Sequence, residues 1–250
     1  MAAPVFDAVA TAQDSAFSGT VTWSHTCTGT NLLLLVSVGA AYHNAPICTG
    51  VTYNGVAMTS AVTPVANANP DKQYLWYLIN PATGANNVVA TMSPASDSVS
   101  FISQSYTGVH QTVPLGTVTT AFHNAAGGAS TIIQLGSTNW SAVGETAVLF
   151  GTHNNYDSGF LVVTPTATIA NATERGRIAS TNAGGLKMRI LGGDTAGAAT
   201  VTPQWALTND VFWLAIGVSV KPVAGAASLT DDDAGWMPKL WQADPIVSVW

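Results

Sequence analysis

Apolar and polar positions alternate with a period of two through much of this chain. Residues 20–26 read Thr-Val-Thr-Trp-Ser-His-Thr, with Val21 and Trp23 on one face and hydroxyls on the other. That is the mark of a strand with one wet side. Residues 32–38 are an unbroken Leu-Leu-Leu-Leu-Val-Ser-Val run, which suits a central strand covered on both faces. Residues 51–59 place Asn54-Gly55 between apolar flanks. Asn-Gly accepts the positive φ angles of a two-residue turn, so a hairpin is predicted there. Residues 74–79 form another apolar strand, closed by Asn80-Pro81-Ala82-Thr83-Gly84, and residues 87–92 and 98–107 follow. Further strands are expected over 130–135, 145–152, 160–164, 186–190, 199–206 and 211–220. No stretch of a dozen residues holds an i, i+3, i+4, i+7 apolar pattern free of Gly, Pro or Thr/Val clusters, so no amphipathic helix is predicted.

About a dozen short strands joined by polar turns describe an all-β protein. The expected architecture is a two-sheet antiparallel sandwich, jelly-roll-like, over residues 1–222. No internal repeat is evident along the chain. Pro222 ends the last strand, and Val223-Ala224-Gly225-Ala226-Ala227-Ser228 reads as a linker. Residues 223–250 are therefore expected to form a linker and an extended, apolar C-terminal docking tail.

Composition sharpens this picture. Only 8% of the residues are charged, against about 25% in an average domain. The surface must then be covered with hydroxyls and amides, a habit of secreted or particle-borne β-proteins. The formal net charge is -6, and Arg175, Arg177, Lys187 and Arg189 are the only loose group of cations. Phosphate backbones need clustered cations, so nucleic acid is not an expected partner. The longest apolar run, residues 32–41, is half the length of a spanning helix, and no membrane partner is expected. The N-terminus has no basic segment and no apolar core of a signal peptide. A β-protein of this character without an export signal is expected to be made in a host cytoplasm and released by lysis, on a virus particle. Cys27 and Cys48 flank a strand that spans roughly 25 Å, beyond disulfide reach without a special path, so free thiols are expected.

Several segments resemble a family of uncharacterised β-sandwich proteins of tailed bacteriophages and bacterial surfaces. They are His25-Thr26-Cys27-Thr28-Gly29-Thr30-Asn31, Val51-Thr52-Tyr53-Asn54-Gly55-Val56-Ala57-Met58 and Trp76-Tyr77-Leu78-Ile79-Asn80-Pro81. Ser105-Tyr106-Thr107-Gly108-Val109, followed by Gln111 and Pro114, and Trp213 through Pro222 complete the set. The resemblance covers roughly residues 18–115 and 211–222. It implies a displayed structural sandwich. Its motifs are turns and strand ends, and they bring no catalytic residues.

The candidate chemistry is sparse. His25, His43, His110, His123 and His153 are spread singly and read as loop or strand-end polarity. Neither a metal nor a cofactor is expected. Glu145 and Glu174, the only glutamates, read as solvated strand and loop ends rather than as a glycosidase pair. The stretch Asn154, Asn155, Tyr156, Asp157 is the most ligand-like loop, suited to Ca²⁺ or a sugar face. Asp231-Asp232-Asp233 reads as a solvated run. The tail carries Trp236, Met237, Leu240, Trp241, Ile246, Val247, Val249 and Trp250. Each buried indole removes on the order of 150–250 Å² from water, so partner docking is expected of it.

The expected function is that of a non-enzymatic virion structural protein on the particle exterior, first a capsid decoration protein and next a short fibre or tail-attached protein. Its partners would be copies of itself or the major capsid or tail protein. The alternative is a carbohydrate-binding or adhesin module that recognises host surface glycans. A glycan-degrading enzyme stands third.

Overall fold

The computed structural model describes residues 2–14, 19–41, 47–67, 71–93, 98–124, 130–136, 138–157, 167–181 and 187–223. These residues form strands and turns, with no helix among them. The first half holds β1 (Val5–Asp14), β2 (Thr20–Cys27), β3 (Leu33–Ala40), β4 (Ile47–Tyr53), β5 (Val56–Ala57), β6 (Thr59–Ser60), β7 (Val65–Ala66), β8 (Lys72–Ile79), β9 (Gly84–Ser93) and β10 (Val99–Thr107). The second half holds β11 (Leu115–His123), β12 (Ile132–Gln134), β13 (Thr146–Asp157), β14 (Ala167–Ala170), β15 (Thr173–Thr181), β16 (Lys187–Ala196), β17 (Gln204–Leu207) and β18 (Val211–Val220).

The first half pairs as β1-β10-β3-β8-β6, with β7 also on β8, and as β2-β9-β4-β5. Every pairing is antiparallel. Apart from the two-residue edge strands β6 and β7, this is the jelly-roll order, two Greek keys closed into a sandwich. The second half pairs as β11-β18-β13-β16-β15 and β12-β17-β14. Replacing β1, β2, β3, β4, β8, β9 and β10 by β11, β12, β13, β14, β16, β17 and β18 turns the shared strand order of one set of sheets into that of the other, with β5, β6, β7 and β15 left over. The expected jelly-roll-like sandwich is present twice, a duplication of topology that no sequence repeat announces.

The four sheets stack in one pile. One core lies between the β2 sheet and the β3 sheet, built on Trp23, Leu34, Val36, Tyr53, Val88 and Phe101. A second joins the two rolls through Leu35, Leu75, Ile102, Phe150, Ile190 and Ile216. The third lies between the β13 sheet and the β12 sheet, around Trp140, Leu149, Trp205 and Trp213. The contacts between rolls are reciprocal. β1 lies on β15 and β11 on β7, while β10 lies on β16 and β18 on β8. β10–β16 and β18–β8 are counterparts, and β15 and β7 each lie beside a matched strand, β16 and β8, so the arrangement resembles an isologous dimer.

Sequence pattern decides which layer each strand occupies. β2 alternates exposed and buried residues because its sheet is outermost. β3 and β18 are buried at every position because their sheets have a neighbour on both faces, as the unbroken Leu run predicts. Asn54 and Gly55 have φ of 48° and 76°, and Tyr53 pairs with Val56, so the two-residue hairpin turn is there. Cys27 and Cys48 are free and buried, and burial pushes the Cys48 thiol up to about 11.

Other expectations need correction. The strand expected over 199–206 begins only at Gln204, and the one expected over 160–164 lies outside the described residues. β1, β11, β14 and β15 were not predicted at all. β1 and β15 face each other across the join of the rolls and are half-buried along most of their length, so neither shows a clean alternation.

Polar bonds also cross this join. Tyr106 donates to Asp194 Oδ2 at 3.0 Å, and within the second roll Arg175 Nε holds the same carboxylate through Oδ1 at 2.9 Å. The Arg175 guanidinium lies 4.2 Å from the centre of the Phe6 ring. Ser100 Oγ donates to the Met188 carbonyl at 2.6 Å, and Thr146 Oγ1 to that of Pro4 at 2.7 Å.

Candidate functional site

The tail residues Trp236, Met237, Leu240, Trp241, Ile246, Val247, Val249 and Trp250 lie outside the described residues, which end at Val223. The stretch expected to be a ligand loop is strand by its backbone, since β13 runs to Asp157. Asn154 is buried at the join of the rolls, where its Nδ2 donates to Asp71 Oδ2 at 2.8 Å. The side chains of Asn155, Tyr156 and Asp157 lie outside the described structure.

The histidines have separate fates, and His43 falls outside the described residues. His110 sits in a turn, and its Nδ1 accepts from the Thr112 and Val113 amides at 3.2 and 3.1 Å. His123, at a strand end, contacts Asp210 at 2.9 Å and stacks on Trp213. His25 and His153 correct the loop reading, because both are buried within strands. Among the described residues, no group of three His, Cys, Asp or Glu side chains is placed to hold a metal.

His25 is the centre of a buried relay. Trp23 Nε1 donates to Ser103 Oγ (3.1 Å), and Ser103 donates to His25 Nδ1 (2.9 Å). His25 Nε2 donates to Ser105 Oγ (3.0 Å), and Ser105 donates to Asp7 Oδ2 (2.7 Å). The ends set the direction, since an indole only donates and a carboxylate only accepts. Asp7 also takes the Thr28 amide at 2.9 Å. Burial lowers the His25 pKa to about 4, opposed by the Asp7 charge, so the ring is neutral at neutral pH. Serine, histidine and aspartate are also the parts of a hydrolase triad. Here Ser105 stands between imidazole and carboxylate, an indole N–H occupies Ser103, and both serines are fully buried. The relay ties β1, β2 and β10 together and is closed to a substrate. The alternation that placed Val21 and Trp23 inward also places His25 inward, and that was the available signal.

The two glutamates are held apart by their own partners. Glu145 accepts from the Ala142 amide at 2.8 Å and from the Ser219 hydroxyl. Glu174 forms a two-point pair with Arg177.

The loose cation group is divided by a bulge. The β15–β16 register shifts between Glu174 and Gly176, which re-aims the bulged strand. Arg175 therefore faces the first roll, while Arg177 faces the other way. There, Arg177 and Arg189 line a cavity of about 310 Å³ together with His153, Ala167 and Leu191. Burial lowers the His153 pKa to about 4, opposed by the Asn154 carbonyl and helped by the two arginine charges. Burial and then Arg177 lower that of Arg189. Compared with known proteins, the chain matches no family model, no curated protein and no solved structure.

Proposed function

We propose that this chain is a non-enzymatic structural protein on the exterior of a bacteriophage particle, a capsid decoration protein anchored by its C-terminal tail. The carrying observation is where the fold closes. β18 is an inner strand of its sheet, and the chain is pinned directly after it by the Val109–Pro222 bridge. The Val223 amide then donates to the Gly108 carbonyl at 2.8 Å. In this reading the segment beyond the linker docks on a partner, either another copy or the capsid shell, because Trp236, Trp241 and Trp250 offer more apolar surface than a loose terminus should expose. Jelly rolls serve many functions, viral capsids and lectins among them, so the fold supports this reading only by analogy.

The test is a chain lacking residues 229–250, compared with the full chain. Mass spectrometry and cryo-electron microscopy of purified particles should place the full chain on the outer surface in symmetric copies. The truncated chain should keep its strand spectrum and melting temperature but no longer bind the particle. Normal binding by the truncated chain, or its unfolding, would overturn the anchor.

A further inference from the structure

The second roll carries charge where the first carries rings. In the first roll, β8 turns Tyr74 and Trp76 toward the outer sheet, and both pack there with Cys48 and Met58. Its counterpart β16 turns Arg189 and Leu191 toward the outer sheet of its own roll. His153 pairs with Arg189 from β13, and Arg177 pairs with Leu191 from β15. The result is an opening of about 310 Å³ at the position where Tyr74 and Trp76 pack in the first roll, beside the tryptophan core of the second.

The polarity of the opening is specific. His153 Nδ1 lies 3.0 Å from the Asn154 carbonyl, which can only accept, so Nδ1 carries the proton of the neutral ring. Nε2 is then a lone-pair acceptor. It is buried and has no hydrogen-bond partner, on a residue that is 1% exposed and lines the opening. At the mouth, the Arg177 side chain is 46% exposed. Its Nη1 donates to the Ala167 carbonyl at 2.8 Å and its Nη2 to Glu174, and each nitrogen retains a second N–H. Arg189 has a contact of its own and adds a second guanidinium to the wall. The site asks for an anion at one end and a hydroxyl donor at the other. Its volume falls at the small end of ligand pockets, the scale of one sugar ring.

We propose that this cavity binds a carboxylated monosaccharide unit, its carboxylate against Arg177 and Arg189 and one of its hydroxyls donating to His153 Nε2. The inference stands independently of where the chain is displayed. It moves the glycan contact from the Asn154–Asp157 side chains to the neighbouring wall of the same roll.

The test is a nuclear magnetic resonance titration of the full chain with glucuronate, N-acetylneuraminate, glucose and acetate. The two acidic sugars should bind and shift the His153 ring nitrogens. Acetate should bind more weakly and leave Nε2 unmoved, and glucose should not bind. Arg189→Gln should weaken the acidic sugars about tenfold or more, as expected for a lost charge-assisted bond. His153→Phe should reduce their affinity to that of acetate. An unmoved His153 in the unaltered chain, glucose binding equal to glucuronate, or full affinity in a folded Arg189→Gln variant would each overturn the proposal. Should a variant fail to fold, the unaltered chain decides through the His153 shift.

Discussion

Tyr106→Phe is the most direct test of how the two rolls hold together. The phenol is fully buried and donates to Asp194 across the join. Burial and the Asp194 charge hold it protonated well above the usual phenol range. A hydrogen bond to a charged acceptor contributes about 1.5–3 kcal/mol. The low end applies, because Asp194 keeps both Arg175 contacts when the hydroxyl is gone. The expected loss is therefore about 1.5 kcal/mol, or roughly 3–6 °C in melting temperature for a chain of this size. Asp194→Ala should cost more, about 3 kcal/mol, since it strips the partner from a mostly buried guanidinium. The Arg175 side chain is still 28% exposed, so water limits that loss. The double variant should reveal a coupling of about 1.5 kcal/mol. Urea unfolding followed by circular dichroism and by tryptophan fluorescence measures all three. Trp23 lies in the first roll and Trp140 and Trp205 in the second, and the curves should coincide because each inner sheet is covered by the other roll. A Tyr106→Phe loss under about 0.5 kcal/mol, or zero coupling, would refute the assignment of this bond as a tie between rolls.

Three further outcomes are expected. His25 and His153 both have folded pKa values near 4, below the ordinary 6.5. The unfolded chain therefore binds more protons between those values, and stability should fall as pH drops from about 6.5 to about 4. His25→Gln and His153→Gln should each flatten that slope, and an equal slope in both variants would assign it to other groups. Gly55→Val should destabilise by roughly 1 kcal/mol or more, because a β-branched residue resists the 76° φ although space around the site is open. An unchanged denaturation midpoint would argue against the strain. Neither Cys27 nor Cys48 should react with a thiol reagent in the native chain, and both should react once it is unfolded; rapid native labelling would contradict their burial.

Strand identity was legible wherever one rule governed a whole strand. The even positions of β2 and the unbroken Leu run of β3 each reported a single environment. β1 and β15 mix environments, touching strand partners on one side and the opposite roll on the other, and their Ala, Thr and Arg residues satisfy both without periodicity. The duplication was illegible because topology is conserved in strand order, while the side chains that fill equivalent positions differ, Trp76 in one roll and Leu191 or Arg189 in the other. The cavity was half legible. The cation group stood out by count, but a one-residue bulge at Arg175 decided which arginines share a face, and no pattern of polar and apolar letters marks a bulge. The buried histidines were misread because singly spaced polar residues in Thr-rich strands look like surface.

The seven residues that join β10 to β11 have a kinetic meaning. Two separate jelly rolls with this reciprocal face would meet only as fast as their concentration allowed. A short tether instead holds the second roll near the first at a millimolar effective concentration, so docking is as dependable at one copy per cell as at a thousand. The same tether leaves an opening for trade between chains. If it were stiffened so that its two ends could not fold back, the first roll of one chain would close on the second roll of its neighbour, and the product would be a domain-swapped dimer with two complete stacks.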